Sequence, residues 1–532
     1  MAFLNLFLPF LLASLVCAIA PPAFRPKSGM HKINVDSVEV SHRTSGAKLL
    51  PLNTTYYFDQ LIDHDNPSLG TFKQRYYFGY HYYEPGGPIL LMNVGEQNAD
   101  GFWTYLTNET ITGKLAAEYN GAVVVLEHRF FGESNPYPDL SVKSFRVHTI
   151  QQAIDDHEYF VKNVRLPMPG GDQVSGPDKA PWVLFGGSYP GALTSYTMQN
   201  KPGLFYAGYA SSAVVQAIAD YWRYYEPIRQ NMAKNCSADV QAVISYMDQV
   251  LTSNDSSKIQ AFKATFGLED LTHNDDVASA VSQIIGSWQE LTLTAGAGST
   301  WFQFCDALEV KDVKVAGPNG WGLENALAAW GSYYKTTYLS PTCGGATDSK
   351  DIAACLDTHD TSNPAWTNTT VNNAGRSWEW LVCTQFGFWQ GGAPEDQPTI
   401  VSRLVNTAYY QRQCVNYFPE AFSSPPVVFL DALNVNKLYG GWNTTTERLF
   451  FLNGIRDPWR EATVAADDTT SPGSDLQPHL LGDGYHCSDM LISEGISSPA
   501  VLKVQNTVVE YLGTMQPQYT GDPVTTNDGL VS

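Results

Sequence analysis

The chain has 532 residues, enough for one large domain with a sizeable insertion or for two to four smaller ones, so a buried core is assured. Its 53 acidic against 32 basic residues give a formal net charge of -21, which excludes nucleic acid or an anionic membrane as partner, because no basic stripe is available to neutralise phosphates. That surplus suits an acidic medium, and 13% aromatic against only 16% charged residues excludes a disordered chain in favour of a large interior with aromatic-lined clefts.

Residues 1–20, MAFLNLFLPFLLASLVCAIA, end in the small-residue pattern of a signal peptidase site. A membrane anchor would need ~18 clean apolar residues, and Asn5 and Pro9 interrupt this run. A signal peptide that directs secretion is the expectation. Residues 21–50 are polar, comparatively basic and aperiodic, and read as a propeptide or a flexible arm. From about residue 85 short apolar runs follow: GPILLMNVGE (87–96), GAVVVLEHR (121–129), PWVLFGGS (181–188) and YAGYASSAVV (206–215), which read as strands buried on both faces of a parallel sheet. Between the second and third, Ile150, Ala153, Ile154, His157, Val161 and Val164 keep helical spacing. Strands alternating with helices predict an α/β fold.

After residue 215 the pattern becomes helical, Trp-rich and Cys-bearing. Val240, Val243, Ile244, Met247, Val250 and Leu251 lie at helical spacing behind a Ser237 cap. Strand character returns at ERLFFLNGIRDPW (447–459) and LQPHLLGDGYHCSD (476–489), and an amphipathic helix runs from about 499 to 513. The expected organisation is a core from residues 51–215 and 426–532 around a helical cap of residues 216–425.

Of the eight cysteines Cys17 leaves with the signal, and seven remain. Three disulfides and one free thiol among Cys236, Cys305, Cys343, Cys355, Cys383, Cys414 and Cys487 is the economical count for an oxidising compartment, with 15 connectivities open to six partners. No Cys-x-x-Cys or His-Glu-x-x-His occurs, so neither metal nor other cofactor is expected. Sequons at Asn53, Asn108, Asn235, Asn254, Asn368 and Asn443 offer glycosylation sites.

The chemistry starts in GGSYPG (186–191), where a strand meets glycines, a serine and a helix. This is the form of a nucleophile elbow, although Pro190 stands where the usual motif ends in Gly and Gly191 follows one residue later. A serine nucleophile needs a base, a group to orient that base and donors for the oxyanion. Asp457 follows a strand in NGIRDPW, and His486 lies on the next loop in GYHCSD, giving the order Ser, acid, His of α/β-hydrolases. The oxyanion donors are expected from Tyr189 and, in the loop NVGEQNADG (93–101), from Gly95 and Glu96. In EHRFFGES (127–134), Glu127 and Arg129 read as a structural ion-pair network.

Together EHRFFGES, GGSYPG, NGIRDPW and GYHCSD resemble the serine peptidase family of lysosomal Pro-X carboxypeptidase, dipeptidyl peptidase II and the secreted acid prolyl endopeptidases of fungi. The resemblance spans about residues 55–515 and is nearest the fungal branch through ADGFWTYLTNETITG (99–113), FQFCDALEV (302–310), SRLVNTAYYQRQC (402–414) and GGW (440–442). It implies an α/β-hydrolase core with a helical cap, Ser188 as nucleophile, Asp457 as orienting acid, His486 as base, and cleavage after proline. It also implies a proline pocket formed by Trp459 and Phe388. Ala192 stands where the human carboxypeptidase has a larger residue, and Gln385 stands where exopeptidase members carry Glu, a lost carboxylate that favours an endopeptidase. The resemblance suggests pairing Cys383 with Cys414 and, with it, Cys236 with Cys305 and Cys343 with Cys355, leaving Cys487 as the free thiol. The expected substrate is a proline-containing peptide, cut through an acyl-enzyme at acid pH, with burial keeping His486 neutral below ~6.5. The alternatives are exopeptidase action as a Pro-X carboxypeptidase or dipeptidyl peptidase, a carboxylesterase, and a catalytically dead binding protein.

Overall fold

In the computed structural model residues 29–515 are described, apart from 36, 175, 423–431 and 471. The expected signal peptide lies outside the described residues. The central sheet takes β1 (Thr55–Leu61), β2 (Thr71–Gly79), β3 (Ile89–Asn93), β4 (Ala122–Leu126), β5 (Trp182–Gly187), β6 (Ala207–Ser211), β7 (Leu449–Gly454) and β8 (His479–Gly482) in the order β1-β2-β4-β3-β5-β6-β7-β8. β1 and β2 pair antiparallel, β2 joins β4 antiparallel, and the remaining neighbours run parallel. The fold is that of an α/β-hydrolase.

Helices α1 (Ile111–Tyr119), α2 (Ile150–Asn163) and α3 (Tyr189–Asn200) link the parallel strands. The apolar runs are strands because both faces are covered: on β5, Leu184 packs into one core cluster while Val183 and Phe185 pack into the other. The β1–β2 hairpin went unread in the sequence, although its signal is there: in β1 Tyr56, Phe58 and Gln60 alternate with the exposed Thr55, Tyr57 and Asp59.

Between β6 and β7 the chain is mostly helical, including α4 (Lys234–Leu251), α5 (Ala374–Leu381) and α6 (Thr407–Tyr417). The expected Ser237 cap is corrected: α4 starts three residues earlier, so Ser237 lies inside it. Three disulfides, Cys236–Cys305, Cys343–Cys355 and Cys383–Cys414, staple this region, and Cys487 is free and buried. After β8, α7 (Pro499–Met515) closes the sheet's second face. Residues 29–50 are not a loose arm: Met30 is 1% exposed in the core, and Leu49 and Leu52 donate their N–H groups to Val40 and Val38. Five of the six sequon asparagines are exposed, while Asn235 is half-buried. Among the described residues no helix is long and apolar enough to cross a membrane.

Candidate active site

Ser188 stands between β5 and α3 at φ 66, ψ -126, a conformation that a side-chain-bearing residue holds only where its surroundings force it. Glycines make the corner: a Cβ on Gly186 would meet the Pro190 carbonyl oxygen at 2.1 Å, and one on Gly191 the Ser211 carbonyl oxygen at 2.7 Å. Gly191 thus supplies the close packing that Pro190 cannot. Asp457 follows β7 and His486 follows β8, because neighbouring parallel strands deliver their C-terminal loops to one edge of the sheet. His486 Nδ1 lies 2.8 Å from Asp457 Oδ1, which also accepts the Trp459 N–H at 2.8 Å. The bond to Asp457 places the second ring nitrogen, Nε2, on the far side of the ring. Nε2 is buried without a hydrogen-bond partner.

Burial was expected to hold His486 neutral below its ordinary range, and this is corrected. Burial is the largest single influence and acts in that direction, but the Asp457 carboxylate and the neighbouring Cys487 together outweigh it and raise His486 well above ~6.5. Glu96, buried beside Ser188, is pushed up to about 7 by that burial. Of the expected oxyanion donors, Tyr189 heads α3, while Gly95 is corrected: its N–H donates to Asn93 Oδ1 at 2.8 Å. The Glu96 N–H is turned to its own carboxyl.

A cavity of about 160 Å³ opens from Ser188 beneath the cap. Trp459 and Phe388 line it with their rings 5.1 Å apart at 82°, and Tyr221 stacks on Trp459 at 5.4 Å. Gln289 Oε1 fixes the indole by accepting from Trp459 Nε1 at 2.9 Å, and it also accepts the Tyr224 hydroxyl at 2.8 Å. Trp459 lies 6.5 Å from the His486 ring.

A profile of the family described as serine carboxypeptidase S28 matches residues 60–508. The chain belongs to this serine peptidase family. It is 37% identical over 453 residues to a serine protease, vicPa, of Bipolaris victoriae, covering 83% of this chain and 84% of that one. A probable extracellular serine carboxypeptidase of Arthroderma benhamiae is 31% identical over 78% of this chain and 59% of its own. The thymus-specific serine protease of Homo sapiens is 25% identical over 95% of both.

Within this S28 chain two expectations are corrected. Gln385 is not among the cavity-lining residues: its Oε1 accepts the Ile150 N–H at 2.9 Å and caps α2. Glu127 and Arg129 do not pair with each other; Glu127 binds Arg75 at 2.6 Å, and Arg129 forms a fork with Asp156. The two side chains leave the end of β4 towards different layers, so each finds its own counter-charge. The sequence reading missed Gln289, Gln390 and Glu379 in the cavity wall. Burial pushes the Glu379 carboxyl well above the usual carboxylate range. Only the position of Glu379 four residues before Cys383 hinted at it.

Proposed function

We propose that this S28 serine peptidase is secreted and cleaves on the carboxyl side of proline as an endopeptidase, working at acid pH. The observation that carries the reading is the indole of Trp459, held by Tyr221 and Gln289 and packed edge-to-face on Phe388 in the wall of the cavity that Ser188 also lines. Such an aromatic wall suits a pyrrolidine ring packed against it. In this reading His486 Nε2 takes the Ser188 proton as Oγ attacks the carbonyl of the proline residue. The tetrahedral oxyanion leans on the Tyr189 N–H, His486 returns the proton to the leaving amine, and water then hydrolyses the acyl-enzyme by the same steps.

Endopeptidase rather than carboxypeptidase action is supported by the cavity wall, whose described lining residues include no Lys, Arg or His to receive a chain-end carboxylate. Glu96 favours operation on the acid side of neutral, while the raised pKa of His486 limits how far into acid the base stays free. Above about 7 an ionised Glu96 would stand beside the developing oxyanion and oppose it, whereas below that value it is neutral.

The test is mass spectrometry of a long proline-containing peptide, blocked at both ends and incubated near pH 4 with the enzyme and with Ser188→Ala. Internal cuts after proline, with kcat at least ~10⁴-fold lower in the variant, are expected. Cuts elsewhere would overturn proline specificity. Trimming of unblocked peptides alone would establish an exopeptidase.

A further inference from the structure

The N-terminal segment of the described chain ends inside the candidate active site. A Cβ added to Gly29 would lie 2.8 Å from Ser188 Oγ, 2.6 Å from Ser188 Cβ and 2.6 Å from Glu96 Oε1, so the main chain at residue 29 rests directly on the nucleophile. No acyl group fits between them. Met30 is buried in the same cluster as Tyr105, Cys487 and Met490, and its Cγ would be 2.9 Å from a Cβ on Gly187. Only a glycine at the end of β5 admits it. The Tyr105 hydroxyl donates to the His31 carbonyl at 2.9 Å, and the His31 ring hydrogen-bonds the His486 main chain. Lys32 Nζ lies 5.2 Å over the Phe102 ring.

These contacts sit on both sides of the site: Glu96, Phe102 and Tyr105 come from the loop after β3, and His486, Cys487 and Met490 from the loop after β8. Beyond residue 33 the chain runs outward, with Ser41 bridged to Lys48 and the turn 43–48 exposed throughout. The turn is tied to the body by the Arg43 guanidinium, which donates to the Ala117 carbonyl at 2.7 Å.

We propose that residues 29–33 are an intramolecular inhibitor, a stretch of peptide main chain lying in the strip beside Ser188 that substrate must enter, and that cleavage in the exposed turn 43–48 releases it. The inference rests on Ser188 being the nucleophile. A segment tethered by its own chain acts at high effective concentration, and cutting the tether turns it into a dilute competitor.

The test inserts a recognition sequence for a specific protease after Ser45 in the full chain. Labelling of Ser188 by a fluorophosphonate is timed before and after cutting, with Ser188→Ala as the background. The expected result is labelling at least ~10-fold faster after the cut, reversed by a synthetic peptide of residues 21–42, as loss of the tether requires. Met30→Asp, which drives a charge into the buried Met30 site, is expected to speed labelling of the uncut chain. Equal rates for cut and uncut chain, with Ser188 labelled in both, would overturn the inhibitor while leaving the nucleophile intact. No labelling above the Ser188→Ala background in either form would overturn the serine reading, and the inhibitor with it.

Discussion

Ser188 holds φ 66 because the chain must turn from strand to helix within one residue, and it lines the same cavity as Glu96 from the loop after β3 and Trp459 from the loop after β7. Whether such a site works at a given pH depends on two neighbours that titrate in opposite senses for catalysis. On the proposed mechanism His486 must be neutral to accept a proton, and Asp457 raises its pKa, so this residue would set an acid limb. Glu96 must be neutral to spare the oxyanion, and at about 7 it sets an alkaline limb. Glu96→Gln is therefore expected to hold kcat/KM constant on the alkaline side where the parent falls through about pH 7. The measurement is the pH profile of cleavage, and coincident alkaline limbs would remove Glu96 from this role. The placement of Ser188, Asp457 and His486 just after strands was legible in the sequence because each sits in a short motif at a strand end. Gln385 was misplaced because its motif position says nothing of which way its amide turns, and the unsatisfied N–H groups at the start of α2 capture it.

At the scale of elements, the pocket depends on the stretch between α5 and α6. Cys383 lies two residues beyond the end of α5, Phe388 and Trp389 follow in the cavity wall, and the disulfide to Cys414 ties that stretch to α6. Glu379 Oε1 lies 3.3 Å from Cys383 Sγ, so the neutral carboxyl packs on the bridge. Replacing both Cys383 and Cys414 by Ser removes a link across 31 residues and is expected to cost about 2–5 kcal/mol of stability. The looser wall should raise KM for the proline peptide more than it lowers kcat. Thermal melting and steady-state kinetics measure the two effects, and an unchanged KM would separate the bridge from the pocket. The pairing itself was not readable from spacing, since folding alone chooses among the connectivities. The β1–β2 hairpin escaped notice for a related reason: its aromatic alternation is local, but its meaning as a sheet edge comes from pairing with β4.

At the scale of the whole molecule, stability should peak in mildly acidic solution. Burial raises Asp489 to about 6 and Glu96 and Asp276 to about 7, against ~4 for an unfolded carboxyl. Between these values the folded state binds more protons than the unfolded one, so this contribution is present in acid and lost as pH rises through 6 to 7. Burial lowers His81 and His128 to about 4 and His157 to about 3, against ~6.5 unfolded. That contribution is complete above ~6.5 and is lost as pH falls towards 4. The two sets oppose each other between them, and the surplus of acidic residues adds self-repulsion on the neutral side. The expected outcome is a higher Tm near pH 5.5 than at pH 8, with a fall below pH 4. A Tm that climbed steadily to pH 8 would show the histidines in control.

The sequence by itself determined the α/β alternation, the helical interruption, the elbow and the order Ser188, Asp457, His486, because these rest on local spacing, turn chemistry and the rule that parallel strands present their loops at one edge. Tertiary structure alone decided which counter-ions Glu127 and Arg129 take, that Gly95 spends its N–H on Asn93, that Asp457 raises rather than spares the His486 pKa, and that Gly29 lies against Ser188. Each of these is a contact between residues far apart in the chain, or a balance of burial against charge. Neither leaves a mark on local periodicity, so only the folded arrangement fixes it.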